Sequence, residues 1–253
     1  MADVAKAGEI TMKTLAVLSR KGGSGKTTVA VSVALAARQA GLKVVLADID
    51  PLRSAAEVLG TRAEATSFLF ESTAAKLFVL QDACRQNACD LLIIDTPTAP
   101  EPDVMRAINV ADLCLAIARP TALDIAAVRQ SEALVHRAGC PGLIVLNQCP
   151  PMRDGEEPAL VRQALSKLLT AKLPIAKSKL RSRAAYQHAF AQSRGVTEWD
   201  PRSEAAADVL RLLAEISDNM LLRQAANTDR PEFQAGSFTM RGLLQRVGVF
   251  ATA

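Results

Sequence analysis

Aromatic side chains are scarce in these 253 residues: one Trp, one Tyr and seven Phe, with only two His. Only one of them, Tyr186, falls among the basic residues near 177–186, which argues against a surface for stacking single-stranded bases. So few rings leave Ala, Val and Leu to fill the interior, and such small aliphatics suit helices packed closely on a parallel sheet. The two histidines, His136 and His188, stand alone, and the five cysteines (Cys84, Cys89, Cys114, Cys140 and Cys149) contain no C-x-x-C pair. That spacing predicts no zinc or iron–sulfur site; the thiols read as buried and reduced in a cytoplasmic protein. No apolar run approaches the roughly 20 residues of a membrane span. The first residues, MADVAKAGEITMK, lack the apolar core of a secretory signal. Acid is missing from one long window. From Arg162 through Thr197 there is no Asp or Glu, while eight Lys and Arg fall there. The whole chain carries only +4, so a window of +8 leaves the remainder at −4. Charge polarised in this way points to one face that meets a polyanion.

What is present is organised around Lys21-Gly22-Gly23-Ser24-Gly25-Lys26-Thr27-Thr28. A short apolar run, Lys13 to Leu18, precedes it and predicts a strand. An apolar-periodic segment, Val29 to Ala40, follows and predicts a helix closed by Gly41. Strand, glycine-rich turn and helix are the setting of a phosphate-binding loop. Glycines let the backbone curl with its N–H groups inward and let a phosphate approach without meeting a side chain. The helix start adds its positive end. In this pattern Lys26 reaches the β- and γ-phosphates and Thr27 offers its hydroxyl to Mg²⁺.

The remaining chain alternates in kind. Leu42 to Ala47 predicts a second strand, running into Asp48-Ile49-Asp50-Pro51, where the proline ends it. A short helix is expected over 54–60, a strand at Phe68 to Phe70 and a helix from Ser72 to Cys84. Leu91-Leu92-Ile93-Ile94-Asp95 is a buried strand delivering a carboxylate, the Walker B pattern, with Asp95 expected to hold a metal-bound water. Further segments are a helix over 101–110, a strand over 113–118, a helix over 123–137 and a strand over 143–146 ending in Asn147. A helix over 158–170, a short edge strand at Leu173-Pro174-Ile175 and a last helix over 201–220 follow. The fold class expected is α/β, three layers, with a mostly parallel sheet flanked by helices. Residues 1–12 read as a flexible leader, 13–220 as one domain, and 221–253 as a linker and an amphipathic tail.

The early lysine, Lys21, is not something an ordinary phosphate loop specifies. With it, KGGSGKTT resembles the deviant Walker A motif of the ParA/MinD family of positioning ATPases, and the likeness covers roughly residues 13 to 216. It implies ATP and Mg²⁺ as ligands, a nucleotide-sandwich homodimer formed on ATP binding, and Lys21 acting in trans on the partner's ATP. It assigns Asp50, in the Asp-Pro element, to orienting the attacking water and makes it a candidate further metal ligand. Asp48 is a supporting carboxylate. The family commonly has Gln after Asp-Pro, where this chain has Leu52-Arg53-Ser54. Asn147 resembles the family's adenine contact; a turn-forming Asn is the other reading. Catalytic roles thus fall on Lys21, Lys26 and Asp50, and nucleotide contacts on residues 21–28 and Asn147. The basic run Lys177, Lys179, Arg181 and Arg183 before Ala-Ala-Tyr186 looks like the part of small ParA proteins that binds DNA without reading sequence. The implied function is slow ATP hydrolysis, stimulated by a ParB-like or other adaptor, in a cytoplasmic, nucleoid-associated protein that segregates plasmid, chromosome or protein cargo. The segment from Met240 to Phe250 also resembles the membrane-targeting tail of MinD, which gives a membrane-surface positioning ATPase as the alternative. A ligase of the dethiobiotin-synthetase kind and an iron–sulfur reductase relative fit less well: the first lacks a reason for Lys21, the second needs matched metal-binding cysteines.

Overall fold

The structure, a computed structural model, describes residues 12–220; the expected leader before Met12 and the tail over 221–253 lie outside them. Six strands form one sheet: β1 (Lys13–Leu18), β2 (Val44–Asp48), β3 (Leu69–Glu71), β4 (Leu91–Asp95), β5 (Leu113–Ala118) and β6 (Gly142–Leu146). They are ordered β3-β2-β4-β1-β5-β6, and every pair is parallel. Each connection must therefore cross over, and helices cover both faces. This is why β1, β2, β4 and β5 read as continuous apolar runs: they are buried on both sides.

Alternate residues of one strand serve different layers. Leu15 and Val17 of β1 join a core with α1 (Lys26–Gln39), α2 (Ser54–Leu59), α7 (Ala184–Phe190), α8 (Val196–Trp199) and α9 (Glu204–Met220). Ala16 and Leu18 join the opposite core with α3 (Leu77–Gln86), α4 (Glu101–Val110), α5 (Ala122–Arg137) and α6 (Ala159–Thr170). Helix α1 lies under α8 and α9, so its residues from Val29 through Ala37 are all buried. Small side chains dominate a helix enclosed in that way, hence the run of Ala and Val, with Leu35 the largest residue in it. The expected three-layer α/β fold is the one found.

The differences are local. The helix expected from Ser72 begins at Leu77, after a 3-10 turn over Ala74–Lys76. Leu173-Pro174-Ile175 is not a strand. Proline has no N–H for a ladder, and the segment touches β6 through one bridge, Ile144 to Ile175. Helices α7 and α8, of 7 and 4 residues, are not among the elements the sequence predicts. All five cysteines are free thiols; Cys114 and Cys140 lie with sulfurs 3.6 Å apart. Among the described residues, no helix is long and apolar enough to cross a membrane.

Candidate functional site

The C-terminal ends of β1, β2, β4 and β6 converge on one edge, the position at which parallel α/β sheets bind ligands. The loop after β1 turns through Gly23 and Gly25, both in the left-handed region at φ 72° and 89°. Gly25 is fixed twice over: a Cβ there would also lie 2.2 Å from the Asn147 amide nitrogen. Gly25 caps α1 with no side-chain bond, so the first N–H groups of α1 remain for an anion. Within the loop the Ser24 hydroxyl is buried and has no hydrogen-bond partner among the described residues.

Lys26 opens α1 and is buried. Burial pulls its pKa down, and the nearby Asp95 and Asp50 offset this only in part. Asp95 ends β4, in register with Asp48 of β2 and Val17 of β1. Both of its oxygens are buried without a well-formed hydrogen bond among the described residues. Burial pushes its pKa up to about 7; the Thr27 hydroxyl and Lys26 act against that rise, while Asp48 and Asp50 add to it. A buried carboxylate left so poorly satisfied is costly. Beside a phosphate loop and the Thr27 hydroxyl, it fits a hydrated Mg²⁺, whose charge would stabilise the ionised acid and neutralise phosphate oxygens.

Asp48 proves to be a framework carboxylate. One oxygen accepts from the N–H groups of Ala55 and Ala56 at 3.0 and 3.2 Å, and the other from Asp50 N–H at 3.1 Å. It therefore caps α2 and ties down the turn that carries Asp50. Burial raises its pKa, and those backbone donors with Arg53 only moderate the rise. Asp50 sits half-exposed above, one oxygen accepting from Leu52 N–H at 3.0 Å. Arg53 donates to the Asp48 carbonyl and reaches Glu71 at 3.5 Å.

Lys21 is held by its own chain. Its ammonium lies 3.3 Å from Asp124, which also accepts from Arg119 at 2.9 and 3.2 Å and from the Thr121 hydroxyl at 2.6 Å. Burial works against the Asp124 charge, but these donors outweigh it and hold the carboxyl below its ordinary range. Thr121 in return caps α5 by accepting from Asp124 N–H. At the end of β6, Asn147 donates to the Ser24 carbonyl at 2.8 Å and Gln148 to the Gly23 carbonyl at 3.0 Å. Asn147 is thus engaged with the loop itself. Asp124 and Gln148 carried no motif signal; their roles come from contacts more than a hundred residues away in sequence.

A stretch of 211 residues, 15–225, matches the sequence profile of the CobQ/CobB/MinD/ParA nucleotide-binding domain. The chain belongs to that family. Among relatives of the ParA/MinD kind, a maintenance of carboxysome distribution protein A (McdA) of Gloeobacter kilaueensis is 30% identical over 212 residues, 81% of this chain and 94% of that protein. The fold is shared with an Asp-to-Ala variant of Cyanothece McdA in complex with ATP, at TM-score 0.65 and 18% identity over 86% of this chain and 99% of that one. It is shared also with MinD of Pyrococcus horikoshii holding Mg-ADP, at TM-score 0.64 and 16% identity over 81% and 96%. This ParA/MinD-type chain therefore carries the family's nucleotide-binding domain.

The basic segment is organised differently. Arg181 is buried and bidentate to Glu157 at 2.8 Å for both bonds, and it also donates to the Pro150 carbonyl. Lys179 lies 3.4 Å from Glu157, and Arg183 lies 3.5 Å from Asp208 of α9. Lys177 is exposed, with no ion pair among the described residues. A cavity of about 500 Å³ lies among Lys177, Lys179, Arg181, Arg183 and the acids Glu204 and Asp208.

Proposed function

We propose that the chain is an ATP hydrolase of the positioning type. In this reading ATP binds the loop over 21–28, Lys26 neutralises its phosphates, and Asp50 orients the attacking water from the turn that Asp48 holds. Thr27 and, through water, Asp95 would hold Mg²⁺, which would supply positive charge against the phosphates. Two subunits close face to face, and each Lys21 leaves Asp124 for the partner's phosphates. The dimer offers two basic surfaces at once and binds DNA through phosphate charge and avidity, without reading sequence. Hydrolysis, stimulated by an adaptor of the ParB kind or another partner, separates the subunits in the cytoplasm and releases them from the nucleoid. The cargo class is plasmid, chromosome or a protein assembly; a relative named for carboxysome distribution favours including the last.

The observation that carries this reading is Lys26, buried behind a glycine loop, without an ion pair among the described residues and attracted by Asp95 and Asp50. Its test is sedimentation with Mg²⁺ and a non-cleavable ATP analogue, followed by DNA gel shifts with ATP, ADP and no nucleotide across salt concentrations. Dimers and DNA binding with the triphosphate alone are expected. A monomer under every condition sinks the reading. Asp50→Ala should slow hydrolysis by about 100-fold or more and leave a persistent ATP-bound dimer; normal turnover would remove Asp50 from its role.

A further inference from the structure

The carbonyl oxygens of Gly23 and Ser24 are each met by a side-chain amide from the end of β6. In a planar trans peptide the carbonyl and the N–H of the next residue point in opposite directions. Holding the Gly23 carbonyl therefore aims the Ser24 N–H, and holding the Ser24 carbonyl aims the Gly25 N–H, both away from β6. These are two of the N–H groups that a phosphate loop turns toward its ligand. We propose that Gln148 is a positioning residue for triphosphate binding, the outer half of a two-amide clamp whose inner half is Asn147. This rests on the nucleotide reading of the site and deepens it.

The backbone at Gln148 favours the same conclusion. Gln148 sits at φ 52°, in the left-handed region that a non-glycine residue avoids. The strained residue is pinned on both sides. Before it, Asn147 N–H donates to the Ala118 carbonyl at 2.8 Å. After it, Cys149 N–H donates to the Leu180 carbonyl at 3.0 Å and the Cys149 carbonyl accepts from Ser182 N–H at 2.8 Å. A glycine would adopt this conformation freely, yet the position holds a side chain long enough to reach Gly23. Its amide nitrogen also lies 3.4 Å from where a Cβ on Gly25 would be, so the clamp closes over the glycine at the turn.

The clamp and a merely structural role predict opposite signs. Gln148→Gly relieves the backbone and removes the amide; Gln148→Met keeps length and backbone strain but cannot donate. Calorimetric titration of the full chain with Mg-ATP and Mg-ADP, beside thermal unfolding without nucleotide, separates the two roles. Expected for Gln148→Gly is an unfolding temperature at or above that of the parent, with affinity for both nucleotides lower by about 3- to 10-fold, the loss of one hydrogen bond. Gln148→Met should lose affinity to the same degree. Affinities of both variants within twofold of the parent overturn the clamp. So does a loss seen in Gln148→Gly alone, which would trace to backbone freedom. If the parent binds neither nucleotide, as expected of Lys26→Ala, the nucleotide reading itself has failed, a result distinct from failure of the clamp.

Discussion

Lys26 and Arg181 are both cations with only 8% of their surface exposed, and the molecule treats them in opposite ways. Arg181 is fully engaged: two bonds to Glu157 and one to a backbone carbonyl, with those Glu157 hydrogen bonds the main reason its pKa is raised. Lys26 has no such partner among the described residues, and burial lowers its pKa against the pull of Asp95 and Asp50. A buried charge without a partner costs stability. In the proposed reading, such a cation at the start of a helix, behind a glycine loop, is charge held for a ligand. Arg181 instead joins the loop after β6 to the segment before α7.

Lys26→Ala should divide the two cases most sharply. Nucleotide affinity is expected to fall by about 100-fold or more, while the nucleotide-free fold unfolds near the parent's temperature, because the burial cost of Lys26 and its attraction to Asp95 and Asp50 are removed together. Isothermal titration and thermal melts of one preparation check both. A large loss of stability would mean that Lys26 is a structural cation after all, and the contrast with Arg181 would disappear. Arg181→Ala should do the reverse. Removing one partner of a largely buried pair leaves Glu157 uncompensated, a cost of about 2–4 kcal/mol. Nucleotide binding should change little. The double variant Arg181→Ala with Glu157→Ala should recover part of the loss; the same cost in both would assign it to packing rather than charge.

The contrast also marks how far the sequence could be read. The loop over 21–28 was legible because backbone and side-chain requirements coincide in eight consecutive residues: Gly23 and Gly25 where φ is positive, Lys and Thr where a phosphate and its metal would lie. The strands ending in Asp48 and Asp95 were legible because burial on both faces leaves unbroken apolar runs. The basic run over 177–183 was legible as charge and not as free charge. Its acids, Glu157, Asp208 and Glu215, come from segments 20 to 40 residues away, with Glu215 accepting from Lys177 and Ser178 N–H at 2.8 and 2.9 Å. Asn147 shows the same limit at the site. Its place at a strand end suited a base contact, but only the folded chain brings it within 2.8 Å of the Ser24 carbonyl. Helices α7 and α8 are too short to show an apolar period.

If free charge rather than charge count governs DNA binding, the four basic candidates should separate. Lys177→Ala should weaken non-specific DNA binding by the ATP-bound dimer and lower the magnitude of its salt slope by about 1 for each subunit in contact. Arg183, tied to Asp208 at 3.5 Å, should contribute less when changed to Ala, and its main effect should be on stability. Gel shifts at four salt concentrations give the slopes. Equal slopes for the two variants would mean that Arg183 exchanges its acid for phosphate on binding. A Lys177 variant with the parent's slope would move the interface elsewhere.

The smallest effect is expected where a cation is only partly engaged. Lys21 lies 3.3 Å from Asp124, a longer contact than any of the Arg119 and Thr121 bonds to the same carboxylate. If Lys21 swings to a partner's phosphates, Asp124 remains satisfied by Arg119 and Thr121, so release costs little. Asp124→Asn removes the negative charge that holds Lys21 and keeps most of the local shape. Arg119 loses its bidentate partner, and a modest fall in stability of about 1 kcal/mol should follow. Dimerisation with a non-cleavable ATP analogue should tighten by about 2- to 5-fold, because the subunit no longer competes for its own lysine. Sedimentation at two salt concentrations would show the gain shrinking as salt screens the original attraction. Weaker dimerisation in the variant would reverse the assignment: Asp124 would then be a group the closed dimer needs, and its contact with Lys21 would be the rest position of an interface residue rather than a competitor for it.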